Sequence, residues 1–179
     1  MKTPLLKTLL GLCLSFSFSA FSQSTGSASS SAIAHNTIAS EHHKILSAAV
    51  EATDLDDILD NSGPFTIFAP SDAAFERFSS EKIAQLINSQ DKSALKSLVA
   101  YHIVAGHLTA SRILRALCRG NGKASFTTIQ GKKLLAHLDG YDIVLTDPMG
   151  NTARITTADV SQENTVIHEI DSVILPTQM

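Results

Sequence analysis

The sequence predicts an α+β domain, with helices gathered in its first half and a largely antiparallel sheet in its second. Three observations carry this. Apolar residues recur at helical spacing up to about Tyr101. From Ala124 onward the chain breaks into short β-forming stretches divided by Gly, Asp and Asn turns. Strands and helices do not alternate as they would around a parallel βαβ sheet.

The domain is expected to begin after an export signal. Lys2 and Lys7 precede the apolar run Thr8–Phe21, and Ala20 and Ser22 are the small residues ahead of a cleavage before Gln23. Residues 1–22 are therefore read as a cleaved signal peptide. Its apolar run is shorter than the roughly 20 residues needed to cross a bilayer, so no stable membrane insertion is expected. Cys13 follows Leu12, where lipidation would want a small residue. Without Cys13, Cys118 is the only thiol, no internal disulfide can form, and the core alone must hold an exported domain. Residues 23–36, "QSTGSASSSAIAHN", read as a disordered Ser/Ala-rich leader, and 37–177 as one domain.

Within the domain, Ser40 is placed to cap a helix whose stripe is Ile45, Leu46, Ala49 and Val50. A shorter turn from Asp54 carries Leu55, Ile58 and Leu59. "FTIFAP", Phe65 to Pro70, reads as a strand buried on both faces. Helical stretches follow at about 81–88 and 92–101, the second pointing Leu95, Leu98 and Val99 into one core. A further helix is read to end near Cys118, which would fill space if buried and react if exposed. The strands are "ASFTTIQG", "KKLLAHLDG", "YDIVLTDPMGN", "TARITTADV" and "NTVIHEIDSVILP". Phe78, Leu108 and Tyr141 are expected in the core rather than in an exposed patch.

Charge narrows the partners. Without Lys2 and Lys7 the chain has 12 basic and 17 acidic residues, a net charge of −5. It carries no Lys/Arg cluster, so nucleic acid and anionic membranes are not expected as partners.

Three ordered stretches, "GPFTIFAPSDAAF", "YHIVAG" and "NTVIHEIDSVILP", resemble the opening, central and closing motifs of the fasciclin domain, and the likeness runs from about Ile38 to Pro176. The resemblance implies a wedge of two β-sheets with helices packed along it. It also implies an exported, non-enzymatic binding or adhesion module, in the periplasm or at the cell surface, meeting envelope, matrix or surface proteins or polysaccharides. Tyr101 and His102, the Tyr-His motif, become the candidate binding residues. The family usually has Asn-Gly before Val-Ile-His; here Asn164-Thr165 stands there, which predicts a changed turn rather than a lost fold.

Ser71 and Asp72 pose the main alternative, a secreted serine hydrolase using Ser71 and His102. No Gly-x-Ser-x-Gly elbow is present. After Pro70 and ahead of "AAF", Ser71 is instead expected to cap a helix and Asp72 to sit at its positive end, a contribution of about 1 kcal/mol. His102 is expected partly buried, in polar contact with the Ser71/Asp72 turn. His168 and Asp171 are read as structural, in local hydrogen bonds of a final strand that runs on through Val173 and Ile174. His35, His42, His43 and His137 are expected on the solvated surface. No His-Glu-x-x-His or Cys-x-x-Cys spacing suggests a metal, and no cofactor is expected. A small-ligand carrier is the third reading.

Overall fold

A computed structural model describes residues 42–55, 58–59, 62–162 and 165–176. The signal, the leader, the Ser40 cap and Asn164 lie outside them.

The first half is mostly helical. Helix α1 (Lys44–Glu51) buries Leu46, Ala49 and Val50. Strand β1 (Phe65–Pro70) is buried at every position. Helix α2 (Asp72–Asn88) is two segments, because Ser79 interrupts it with an extended backbone. Helix α3 (Ser93–Tyr101) turns Leu95, Leu98, Val99, Ala100 and Tyr101 inward. A short strand β2 (Ile103–Ala105) follows, then α4 (Ala110–Arg119), which buries Ile113 and Leu117. A Cβ on Gly120 would sit 1.9 Å from the Lys123 carbonyl oxygen, so the tight exit from α4 requires glycine.

Five strands complete the chain: β3 (Lys123–Thr127), β4 (Lys133–Asp139), β5 (Asp142–Thr146), β6 (Thr152–Gln162) and β7 (Thr165–Ile170). The strand order is β2-β1-β7-β6-β5-β4-β3. Every pairing is antiparallel except that of β1 with β7, which is parallel. Strand β6 belongs to two sheets. Thr152–Arg154 pair with β5, and Ile155–Gln162 pair with β7 across two register shifts. Such shifts bend a strand and sharpen its twist, so one long strand can leave one sheet and enter the next. The outer edges then meet where Val104 bridges Thr128, which closes the wedge.

Alternation along β1 gives the wedge two cores. Phe65, Ile67 and Ala69 pack with α1, α2 and α3, whereas Phe68, one residue along, joins a second cluster. That second cluster sets Tyr101, Val104, Ile113 and Leu117 against Leu134, Leu145 and Ala153 of the β4–β6 sheet.

Several expectations need correction. Strand β7 stops at Ile170, and Val173 and Ile174 are buried as irregular chain rather than as strand. Tyr141 is wholly exposed at the tip between β4 and β5, while Phe78 and Leu108 are partly buried against the cores. His43 is buried rather than solvated, with Nε2 at 3.7 Å from a carboxylate oxygen of Glu169. Burial holds its pKa below the ordinary histidine value against the pull of Glu169 and Asp72. His42 is exposed and His137 intermediate. Cys118 is exposed and unpaired.

Candidate functional site

The Tyr-His pair lies where α3 ends, and its position follows from the needs of that end. The last carbonyls of a helix lack partners within it. His102 supplies one, with Nδ1 at 2.8 Å from the Leu98 carbonyl oxygen. A carbonyl only accepts, so Nδ1 carries the proton and Nε2 is bare. Nε2 then accepts the Ile174 N–H, at 3.3 Å. Both ring nitrogens are satisfied by a neutral imidazole, and burial pushes its pKa down to about 4.

Tyr101 is wholly buried beside it and donates its hydroxyl to the Lys133 carbonyl oxygen at 2.9 Å. Burial, helped by Asp147, raises the phenol to about 12. With relative exposures of 0% and 1%, Tyr101 and His102 offer a partner no surface. The expected contact between His102 and the Ser71/Asp72 turn does not exist. The ring's two nitrogens are spent on α3 and on the C-terminal segment.

Asp147 is the member of this cluster that sequence reasoning missed. Only 3% exposed, its carboxylate accepts the Met149 and Asn151 N–H groups, each at 2.9 Å, and the Asn151 side-chain amide at 2.8 Å. It also accepts the Leu175 N–H at 2.8 Å. The turn "TDPMGN" signals an Asp folding back on its own turn. Nothing local signals that the same carboxylate fastens a segment 28 residues later.

His168 makes the same arrangement with the opposite tautomer. Nε2 donates to the Leu108 carbonyl oxygen at 2.7 Å, and Nδ1 accepts the Asp159 N–H at 3.2 Å. These partners are not local to the final strand, contrary to the sequence-based expectation. Phe68 stacks on the ring, with centroids 5.6 Å apart. Asp159 has a left-handed backbone at the β6 irregularity, and its carboxylate accepts the Ala110 N–H that opens α4.

Ser71 and Asp72 serve two helices. Ser71 Oγ accepts the Ala74 N–H at 3.3 Å, capping α2. The Asp72 carboxylate reaches across to α1 and accepts the Lys44 and Ile45 N–H groups, at 3.3 and 2.9 Å. No hydrogen bond among the described residues joins Ser71 to either histidine. Asp171 accepts the Arg154 N–H on its carboxylate at 2.8 Å and the Arg77 guanidinium on its carbonyl. Ser71, Asp72, His102, His168 and Asp171 thus fasten separate junctions. No group of three or more potential metal ligands gathers among the described residues.

The outside of the wedge has a cleft of about 440 Å³ between the first segment of α2 and the turn joining β5 to β6. Arg77, Phe78, Asn151, Thr152 and Ser172 line it. None of the residues singled out from the sequence as a binding or catalytic candidate does.

Comparison with known proteins agrees with this architecture. The family model described as the fasciclin domain matches residues 41–176. Protein sll1483 of Synechocystis is 32% identical over 136 residues, which are 76% of this chain and 68% of that protein. The cell surface glycolipoprotein MPB83 of Mycobacterium bovis is 32% identical over 65% of this chain and 46% of its own. Among solved structures, a domain pair from the insect cell adhesion molecule Fasciclin I superposes with a TM-score of 0.56 at 27% identity. It covers 73% of this chain, which spans 44% of that one.

Proposed function

This chain belongs to the fasciclin domain family, and we propose that it is an exported, non-enzymatic binding module that attaches to envelope, matrix or surface components. The observation that carries the reading is the family match over 41–176, with relatives named for the cell surface and for cell adhesion. The site chemistry supports it. A serine nucleophile needs a base within hydrogen-bond reach. Both ring nitrogens of His102 and of His168 are already committed elsewhere. Among the described residues, no helix is long and apolar enough to cross a membrane.

In this reading Tyr101 and His102 act through position. They fix the C-terminal segment and the end of α3, and recognition falls to surfaces that this scaffold presents. Co-sedimentation of the chain from Gln23 with its producer's envelope and matrix tests the function, with heat-unfolded protein as the control for stickiness. Saturable binding by the folded chain alone is the expected result. An absence of binding, together with specific labelling of Ser71 by a fluorophosphonate, would replace the reading with a hydrolase.

A further inference from the structure

We propose that the cleft beside Arg77 binds a uronate, a sugar bearing a carboxylate, as the recognition unit of an acidic polysaccharide. This deepens the adhesion reading by giving it a ligand class, and it rests on that reading for its biological setting alone.

Arg77 is the central observation. Its guanidinium donates to the Asp171 carbonyl oxygen, which holds the side chain in place without neutralising it. No carboxylate among the described residues pairs with it. Arg154 is the contrast, since its guanidinium is shared between Asp139 and Asp142. A held and uncompensated guanidinium in a concave site is suited to an incoming carboxylate, which it can meet with two parallel N–H donors.

The rest of the lining selects the kind of carboxylate. Asn151, Thr152 and Ser172 bring an amide and two hydroxyls, groups that can both donate to and accept from sugar hydroxyls. The Asn151 amide nitrogen is fixed by Asp147, which orients its carboxamide, and the amide oxygen accepts from no described residue. Phe78, only partly buried, adds apolar surface for the C–H face of a ring. At about 440 Å³ the cleft falls within the usual range of small-ligand sites, about 300–1,000 Å³. One arginine lines it, on a chain whose net charge is −3. That balance favours one carboxylate per site over a densely charged polyanion, which would need several cations.

The test is an NMR titration of the isotope-labelled chain from Gln23 with a galacturonic acid trisaccharide. A neutral galactose trisaccharide and acetate serve as the two comparison ligands. Saturable shifts at Phe78, Asn151, Thr152 and Ser172 are expected from the uronide, with both comparison ligands weaker by about tenfold or more. Arg77→Gln should weaken the uronide by a similar factor while the thermal midpoint stays in place. Should that variant fail to fold, Ser172→Ala, which removes one lining hydroxyl, carries the same comparison. Equal binding by wild type and variant, or no saturable shifts, overturns the proposal. Acetate binding as tightly as the uronide overturns the sugar assignment. Envelope sedimentation of wild type and Arg77→Gln separates the two readings. Attachment without uronide binding sinks this inference alone, and uronide binding without attachment sinks the adhesion reading alone.

Discussion

His102, His168 and His43 all have pKa values held below the ordinary histidine value, chiefly by burial. Each therefore binds a proton more readily in the unfolded chain than in the folded one. Stability from these groups is full above about pH 6.5 and is lost as pH falls through the window down to the folded values. For His102 that window runs from 6.5 to about 4. Linkage then removes about 2 kcal/mol between pH 7.5 and pH 5 from this residue alone. Urea unfolding at the two pH values should show the loss, and His102→Gln should remove about 2 kcal/mol of it while the shares of His168 and His43 remain. An equally steep slope in the variant would mean that His102 is protonated in the fold. The same ring would make a poor general base, since its accepting nitrogen is taken by the Ile174 N–H.

Among elements, helix starts and chain ends are held by carboxylates from distant parts of the chain. Asp72 opens α2 and accepts from the first N–H groups of α1. Asp72→Ala should cost about 1 kcal/mol, with faster amide exchange at Lys44 and Ile45 than anywhere in α2. Asp147 joins the β5–β6 turn to the C-terminal segment. Asp147→Asn keeps the shape, yet it weakens every charge-assisted bond and turns one acceptor into a donor. The expected cost is about 2–3 kcal/mol in chemical denaturation, with exchange at Leu175 rising together with that at Asn151. If Leu175 stays protected, the segment is held by the burial of Val173 and Ile174 instead.

At the level of the whole molecule, the two cores share the β1–β7 pair, which sits between them. Ile67 and Ile167 belong to the helical core, while Phe68 and Ile170 belong to the other. Neither core can come apart without disturbing the parallel pairing, so both should melt in one transition. The sequence has two tyrosines and no tryptophan, which supplies a clean probe. In Tyr141→Phe the near-ultraviolet tyrosine signal reports Tyr101 in the second core, and the far-ultraviolet helix signal is weighted to the first. Coincident curves are expected, whereas two midpoints would show separately folding halves. The β1–β7 register joins Phe65 to Thr165, a separation that makes folding slow relative to a helical bundle, on the order of milliseconds to seconds.

The sequence by itself determined the class of fold, the gathering of helices ahead of the later strands, the burial of "FTIFAP" and the capping role of Ser71. Each of these depends on neighbours within a turn or on a short period, and such information is written along the chain. Asp72 was legible as a residue at a helix start, but the helix its carboxylate reaches was not. Tertiary structure alone decided that Tyr101 and His102 are interior and that β7 stops at Ile170. It alone decided that Asp147 fastens the C-terminal segment and that Arg77 lines a cleft without an ion-pair partner among the described residues. For the buried polar groups among these, Tyr101, His102 and Asp147, the physical reason is shared. A buried polar group takes whatever partner the packing brings within about 3 Å, and that partner can come from anywhere in the chain.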